Sequence, residues 1–319
     1  MSKRIKVLVT APFDTETART LKKDFDMVLC EPADEAKSLS EHPQRDHLSD
    51  AQVLIAELDI VDAATLDLAP NLKVVISCRA APVNIDLAEC EARGVKVLTT
   101  PARNADVTAD LAFGLLLSTV RQLSRSEIWF RKMEWTDEDT FYPYREFRGF
   151  ALNGRVLGIV GGGAIGRRMA NRASGFGMTC LIYDPFLTQE QIGEIGKLSS
   201  LEDLLRQSDV VTIHAPLMDS TKGLIGAKEL ALMKQTAFLI NAGRAAIIDE
   251  VALMETLKRK KIAGAGFDVF WKEPVPRDHP VFSLDNVTMT PHIAGASDDV
   301  VLEHSKISAR HLLSWLAEI

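Results

Sequence analysis

Cysteine is scarce. The chain has four in 319 residues, Cys30, Cys78, Cys90 and Cys180, far apart and with no CxxC pair. That spacing argues against a disulfide framework, a thiolate metal site or a cysteine nucleophile, and reduced thiols suit a cytoplasmic protein. Long apolar runs are missing too. None approaches the about 20 residues of a membrane span, and Met1-Ser2-Lys3-Arg4 leads into a short strand rather than the apolar stretch of a signal peptide. No membrane association is expected. An excess of basic charge is also lacking: the net charge is −7, so no nucleic-acid or anionic-membrane surface is expected. The one basic cluster, Lys258-Arg259-Lys260-Lys261, follows a helical pattern and reads as a solvated helix end. No long internal repeat or low-complexity tract is visible.

What is present is an ordinary globular composition, 46% hydrophobic and 25% charged, in a length that suggests two domains. Short β-branched runs alternate with helical patterns. Ile5–Thr10, Met27–Cys30, Val53–Ala56, Val74–Ser77 and Val95–Leu98 read as strands, with helices such as Thr15–Lys23 and Asn84–Arg93 between them. The pattern then restarts with strands at Val156–Val160, Cys180–Tyr183, Val210–His214, Ala237–Ile240, Gly264–Asp268 and Val287–Met289. Such alternation indicates an α/β fold with doubly wound parallel sheets. One long helix is expected over Asp106–Arg131, with Leu111, Leu115, Val120 and Leu123 on its apolar face, and another over Ser297–Leu316. The aromatic-rich stretch Trp135–Gly149 admits two readings, a loop at a cleft or a subunit contact on one hand and a surface connection with partly buried aromatics on the other.

The most informative segment runs from Val156 to Asp184. An apolar strand enters Gly161-Gly162-Gly163-Ala164-Ile165-Gly166, a helix follows, and a second strand ends in Asp184. Gly161 permits the tight turn, Gly163 leaves the backbone open to a pyrophosphate, and Gly166 lets helix and strand pack closely. Asp184 stands about twenty residues on, where a carboxylate accepts from ribose hydroxyls and repels a 2′-phosphate. A dinucleotide site for NAD is expected here. The alternative is a tight strand–helix turn with no ligand.

Three further segments put polar groups where strands end: Asn241–Arg244, Asp268–Pro274 and Pro291–Gly295. Ligands in doubly wound sheets sit beyond the carboxyl ends of strands, so Arg244, Glu273 and His292 are expected to converge. Their chemistry is complementary. Interconverting an alcohol and a ketone moves a proton as well as a hydride, and histidine exchanges that proton near neutral pH. A carboxylate beside it fixes the ring and favours its protonated form. Arginine holds a substrate carboxylate through a planar fork. His214 ends a strand and is the weaker candidate for proton transfer. His42, His47, His279, His304 and His311 lie in polar or helical contexts and are expected to be exposed.

With these segments in view, the chain resembles the D-isomer-specific 2-hydroxyacid dehydrogenases, the family of phosphoglycerate dehydrogenase and D-lactate dehydrogenase. Val156–Asp184, Asn241–Glu250, Phe267–Pro274 and Pro291–Gly295 carry the likeness, with Val211–Leu217 and Thr221 as a further signature. The resemblance implies NAD-dependent interconversion of a D-2-hydroxy acid and its 2-oxo acid, with Arg244 on the substrate carboxylate and carbonyl, Glu273 supporting the histidine and His292 as acid/base. It implies cofactor contacts at Gly161, Gly163, Ala164, Ile165, Gly166, Asp184, His214, Pro216, Thr221, Ala242, Gly243 and Thr108, with Asp268 at the carboxamide. A glutamine in place of Glu273 would have suggested a formate dehydrogenase. The layout it implies is a Rossmann NAD-binding domain, 104–295, inserted into a smaller flavodoxin-like substrate-binding domain, 1–103 with 296–319, the active site between them, and a homodimer formed through the NAD-binding domain.

The chain also departs from the family pattern. Many relatives carry a Gly-x-Gly loop for the substrate carboxylate where this chain has Arg79-Ala80-Ala81. Alanine still exposes its N–H if φ is negative. Arg79 then either meets a distal group of a larger substrate or pairs with a surface carboxylate. Ala245 replaces a usual glycine and Met218 a usual threonine, and the regulatory extension of some phosphoglycerate dehydrogenases is expected to be absent. A nicotinamide-sensing corepressor on the same scaffold is the rival to an enzyme, because fold alone does not settle function.

Overall fold

Strands rich in valine, isoleucine and leucine with no polar alternation must be covered on both faces. A computed structural model describes residues 4–318 and bears this out. The chain folds as two compact units, one built from residues up to Asn104 together with those from Ala296 onward, the other from Ala105–Gly295.

In the first unit β1 (Ile5–Val9), β2 (Phe25–Leu29), β3 (Val53–Ala56), β4 (Val74–Ser77) and β5 (Lys96–Thr99) form one parallel sheet in the order β2-β1-β3-β4-β5. This is the flavodoxin-like winding. Leu8, Leu54 and Val75 pack into the core of one face, and Val7, Val53, Ile55 and Ile76 into that of the other, with Leu312 and Trp315 of the C-terminal helix Asp298–Glu318.

The second unit has seven strands: β6 (Val156–Val160), β7 (Thr179–Tyr183), β8 (Lys197–Leu198), β9 (Val210–Ile213), β10 (Phe238–Asn241), β11 (Gly264–Phe267) and β12 (Val287–Met289). Their order, β12-β11-β10-β9-β6-β7-β8, is the Rossmann winding with one strand added, and it reverses direction between β6 and β9. Helix Ala105–Val120 buries Ala109, Ala112 and Leu116. It lies so close to β11 that a Cβ at Gly266 would come within 2.7 Å of Thr119 Oγ1.

Several expectations need correction. The single helix over 106–131 is two, Ala105–Val120 and Leu123–Arg131, separated by Gln122 at φ +54°. The second helix buries no residue, Leu123 is exposed, and the Gln122 side chain donates to the Arg148 carbonyl instead. Strand β8 has only two residues and gave no sequence signal. Of the histidines expected at the surface, only His47 is fully exposed. His304 is buried because its face of the C-terminal helix packs inward: Nε2 bonds the Pro12 carbonyl (2.6 Å) and Nδ1 meets Arg103 (2.9 Å). His311 bonds the Thr99 carbonyl and His279 bonds Glu250.

Candidate functional site

At the switch point of the seven-stranded sheet, Gly161 takes φ +100° and a Cβ there would lie 2.5 Å from the Ala215 nitrogen. A Cβ at Gly166 would lie 2.0 Å from the Gly161 carbonyl oxygen. The protein's own packing therefore demands both glycines. Gly163 differs, since a Cβ there would meet nothing within 4 Å. Glycine at that position suits something pressed against the backbone from outside. Among the described residues no side chain caps the helix Ala164–Gly175, so its first-turn amides are left for an anion. Gly163 and Ala164 are exposed and Ile165 half-buried.

Asp184, just past β7, is locked beside this turn. One carboxylate oxygen accepts from the Gly162 amide (2.9 Å) and the other from the Phe186 amide (3.0 Å). An uncapped helix start, an open glycine and a fixed carboxylate fit the pyrophosphate and ribose of a dinucleotide.

The other residues expected around the cofactor fall into two groups. Pro216 is exposed, and the Thr221 hydroxyl ties the turn beyond it by donating to the Pro216 carbonyl (2.6 Å). Ala242 and Gly243 lie beyond β10, Gly243 so close to β9 that a Cβ would be 3.1 Å from the Ile213 carbonyl oxygen. Thr108, His214 and Asp268 are buried. The Thr108 hydroxyl bonds the Ala294 carbonyl (3.3 Å). His214 Nε2 meets Thr212 Oγ1 (2.8 Å), while Nδ1 has no partner among the described residues. Burial pushes His214 down to about 3, so the ring is neutral at working pH and is unsuited to proton exchange.

Arg244, Glu273 and His292 follow three adjacent strands, β10, β11 and β12, at one sheet edge. His292 Nδ1 lies 2.6 Å from Glu273 Oε2, and Glu273 Oε1 accepts from the Phe270 amide (2.9 Å). Burial would raise the Glu273 carboxyl. The hydrogen bonds from His292 and Phe270, with the charges of His292 and Arg244, hold it below the usual carboxylate value instead. With Nδ1 on the carboxylate, Nε2 of the exposed ring has no hydrogen-bond partner among the described residues. His292 has φ +55°, a left-handed conformation that costs an L-residue about 1–2 kcal/mol.

In the other unit, the loop after β4 exposes Ala80 and Ala81, both at negative φ. Their N–H groups donate to nothing among the described residues. Arg79 Nε donates to the Glu57 carbonyl (2.8 Å), but the Glu57 carboxylate pairs with Arg103 (2.5 Å). Arg79 thus forms no ion pair among the described residues, contrary to the surface-pair alternative. No group of three or more potential metal-ligating side chains is found among those residues, and no described helix is long and apolar enough to cross a membrane.

Comparison with known proteins agrees with this geometry. The sequence pattern of the D-isomer specific 2-hydroxyacid dehydrogenase, NAD binding domain, matches residues 113–294. A glyoxylate reductase of Thermococcus kodakarensis is 36% identical over 314 residues, 98% of this chain and 93% of its own. The chain belongs to the D-isomer-specific 2-hydroxyacid dehydrogenases. Among solved dehydrogenases of similar shape, an NADPH-dependent glyoxylate/hydroxypyruvate reductase from Sinorhizobium meliloti is 29% identical, with a TM-score of 0.75 over 98% of this chain and 95% of that one. The D-lactate dehydrogenase of Aquifex aeolicus, solved with NAD and lactic acid, is 27% identical, with a TM-score of 0.72 over 98% and 96%. This dehydrogenase is thus an oxidoreductase that uses a nicotinamide dinucleotide to interconvert a 2-hydroxy acid and a 2-oxo acid.

Sequence reasoning missed the side chains that brace the loops carrying Arg244 and Glu273. The Asn241 side chain shapes the Arg244 turn, accepting from the Gly243 amide (3.0 Å) and donating to the Arg244 carbonyl (3.1 Å). Trp271 Nε1 donates to the Ile248 carbonyl (2.9 Å), tying the Glu273 loop to the segment after Arg244. Asn241 stood in the motif as a signal. Trp271 gave none, because its partner is a backbone carbonyl far away in sequence.

Proposed function

We propose that this dehydrogenase reduces 2-oxo acids to D-2-hydroxy acids with NADH, and runs the reverse reaction with NAD, using His292 as the acid/base. The observation that carries this is the 2.6 Å contact between His292 Nδ1 and Glu273, which leaves Nε2 as the exchanging nitrogen. In the reductive direction Arg244 holds the substrate carboxylate and polarises the 2-oxo group. His292 Nε2 gives its proton to the ketone oxygen as the alcohol forms, and Glu273 stabilises the protonated ring beforehand. The nicotinamide, when bound, supplies the hydride to the carbonyl carbon. Gly161, Gly163, Ala164, Ile165 and Gly166 would hold its pyrophosphate and Asp184 its adenosine ribose. The same Asp184 carboxylate favours NAD over NADP, since a 2′-phosphate would meet fixed negative charge.

The free amides of Ala80 and Ala81 would support the substrate carboxylate. The Arg79 guanidinium, which forms no ion pair among the described residues, suits a distal phosphate, carboxylate or hydroxyl-rich group. A panel of 2-oxo acids with NADH and NADPH tests the reading directly. Reduction should be faster with NADH, and larger anionic acids should be preferred to pyruvate. The preference should shrink in Arg79→Ala; no turnover of any 2-oxo acid would refute the assignment.

We also propose a homodimer, formed where Ile128, Phe130, Met133, Phe141 and Tyr144 are exposed on the 123–147 segment, because an apolar surface of this extent is better covered by a second copy. Light scattering should give twice the chain mass, and a monomer would overturn it. Four buried, unbridged cysteines support a cytoplasmic setting. Their persistence as free thiols in protein purified from cells without reductant is the check.

A further inference from the structure

We infer that Arg103 is a specificity-determining residue that keeps Arg79 free for substrate by engaging the Glu57 carboxylate. The inference rests on Arg79 meeting the distal group of the substrate.

Pro12, Glu57, Arg79 and Arg103 follow β1, β3, β4 and β5, at the carboxyl ends of adjacent strands, where a doubly wound sheet places its ligands. Arg79 Nε donates to the Glu57 carbonyl (2.8 Å), and its Nη1 and Nη2 bond no group among the described residues. The carboxylate of that same Glu57 is a ready partner for them. Arg103 takes it instead, through Nη2 on Glu57 Oε1 (2.5 Å). Both side chains of the pair are only 17% exposed. A carboxylate this dry needs a cation, and leaving it alone is costly. Burial pushes the nearby Cys78 thiol up to about 12; among lesser influences Glu57 raises it and Arg103 and Arg79 lower it, so all three charges lie around one buried atom.

Arg103 is itself aimed. His304 is buried, and its Nε2 lies 2.6 Å from the Pro12 carbonyl, so that nitrogen carries the proton. Nδ1 is then an acceptor, and Arg103 Nη1 donates to it (2.9 Å). Burial holds the ring below its usual value, which keeps it neutral and accepting. One arm of the Arg103 fork thus rests on His304 and the other on Glu57, a span that a lysine ammonium does not reproduce. Without Arg103, the Glu57 carboxylate would turn to the guanidinium already seated on its own carbonyl. Arg79 would then be closed to a substrate anion. Pyruvate, which offers Arg79 nothing, would be indifferent to the change.

The test measures kcat/KM with NADH for 2-oxoglutarate and for phosphohydroxypyruvate, each as a ratio to pyruvate. The proteins are the parent, Arg79→Ala, Arg103→Met, Glu57→Gln and the double variant Glu57→Gln/Arg103→Met. In Arg103→Met both ratios should fall about tenfold, mainly through KM, as loss of a hydrogen bond to a charged group warrants, while kcat/KM for pyruvate changes less than about twofold. Glu57→Gln alone should keep the parent ratios or raise them, because a neutral amide does not capture Arg79. The double variant should return to within about twofold of the parent, a recovery that a merely structural role for Arg103 does not allow. Arg103→Lys keeps a cation against Glu57 and serves if Arg103→Met fails to fold; it should lower both ratios by a smaller factor, since it lacks the fork on His304. Parent ratios in the Arg103 variant that folds, or a loss that Glu57→Gln does not repair, would overturn the inference. If neither acid is preferred to pyruvate in the parent, or the preference survives Arg79→Ala, the reading of Arg79 itself fails and the inference with it.

Discussion

One sheet edge carries two regions built on opposite plans. Around β6, β7 and β9 the polar groups are tied down or kept dry: Asp184 is held by two amides, and His214 is buried and neutral. Around β10, β11 and β12 the polar groups are outward: Arg244, Glu273 and His292 are all exposed, and Asn241 and Trp271 hold their loops. The first region suits a ligand that must be recognised without being changed, the second a ligand that must gain or lose a proton. Two histidines that follow strands thus stand in opposite surroundings, His214 buried and His292 exposed.

If that division is right, substitutions should separate cleanly. The largest effect is expected at His292. His292→Ala should lower kcat by on the order of 10²-fold or more while NADH binds nearly as in the parent. Near-normal turnover would show that another group moves the proton. Asp184→Ala should do the converse, leaving kcat at saturating NADH near the parent value while narrowing the preference over NADPH by on the order of tenfold, as removal of one like-charge contact warrants. Equal kcat/KM for the two cofactors in the parent would contradict the role given to Asp184.

His214 should give the smallest effect on rate and a distinct one on stability. Its folded pKa lies below the unfolded value, so the unfolded chain takes up a proton first as the pH falls. The stability associated with its neutral ring is complete above about 6.5 and is lost as the pH falls toward its folded value. Urea unfolding of His214→Gln should show a shallower acid slope than the parent over that range, with the pH dependence of kcat unmoved. A shifted kinetic profile would place His214 in the reaction.

Much of this was legible in the residues. The strand runs Val53–Ala56, Val74–Ser77, Val156–Val160 and Val287–Met289 fall where the structure has them, because buried parallel strands are written as continuous β-branched stretches. The glycine turn and the acid after it could be read because each glycine has its own steric reason. The break at Gln122 could not, since no proline or glycine marks it. His304 was misjudged for a related reason: a histidine in a helix says nothing of the carbonyl and arginine that tertiary packing brings to it. The bracing of the site by Asn241 and Trp271 depends on backbone groups whose positions only the fold supplies.

The central claim, that Glu273 and His292 work as the proton-transfer pair, is tested most directly by the pH dependence of 2-oxo acid reduction in the parent and in Glu273→Gln. Glu273 is held below the usual carboxylate value, so it is charged at neutral pH and favours a protonated neighbour. The neutral amide does not. Reduction should therefore fail at lower pH in the variant than in the parent, with oxidation extending correspondingly lower. Superimposable profiles for the two proteins would contradict the account.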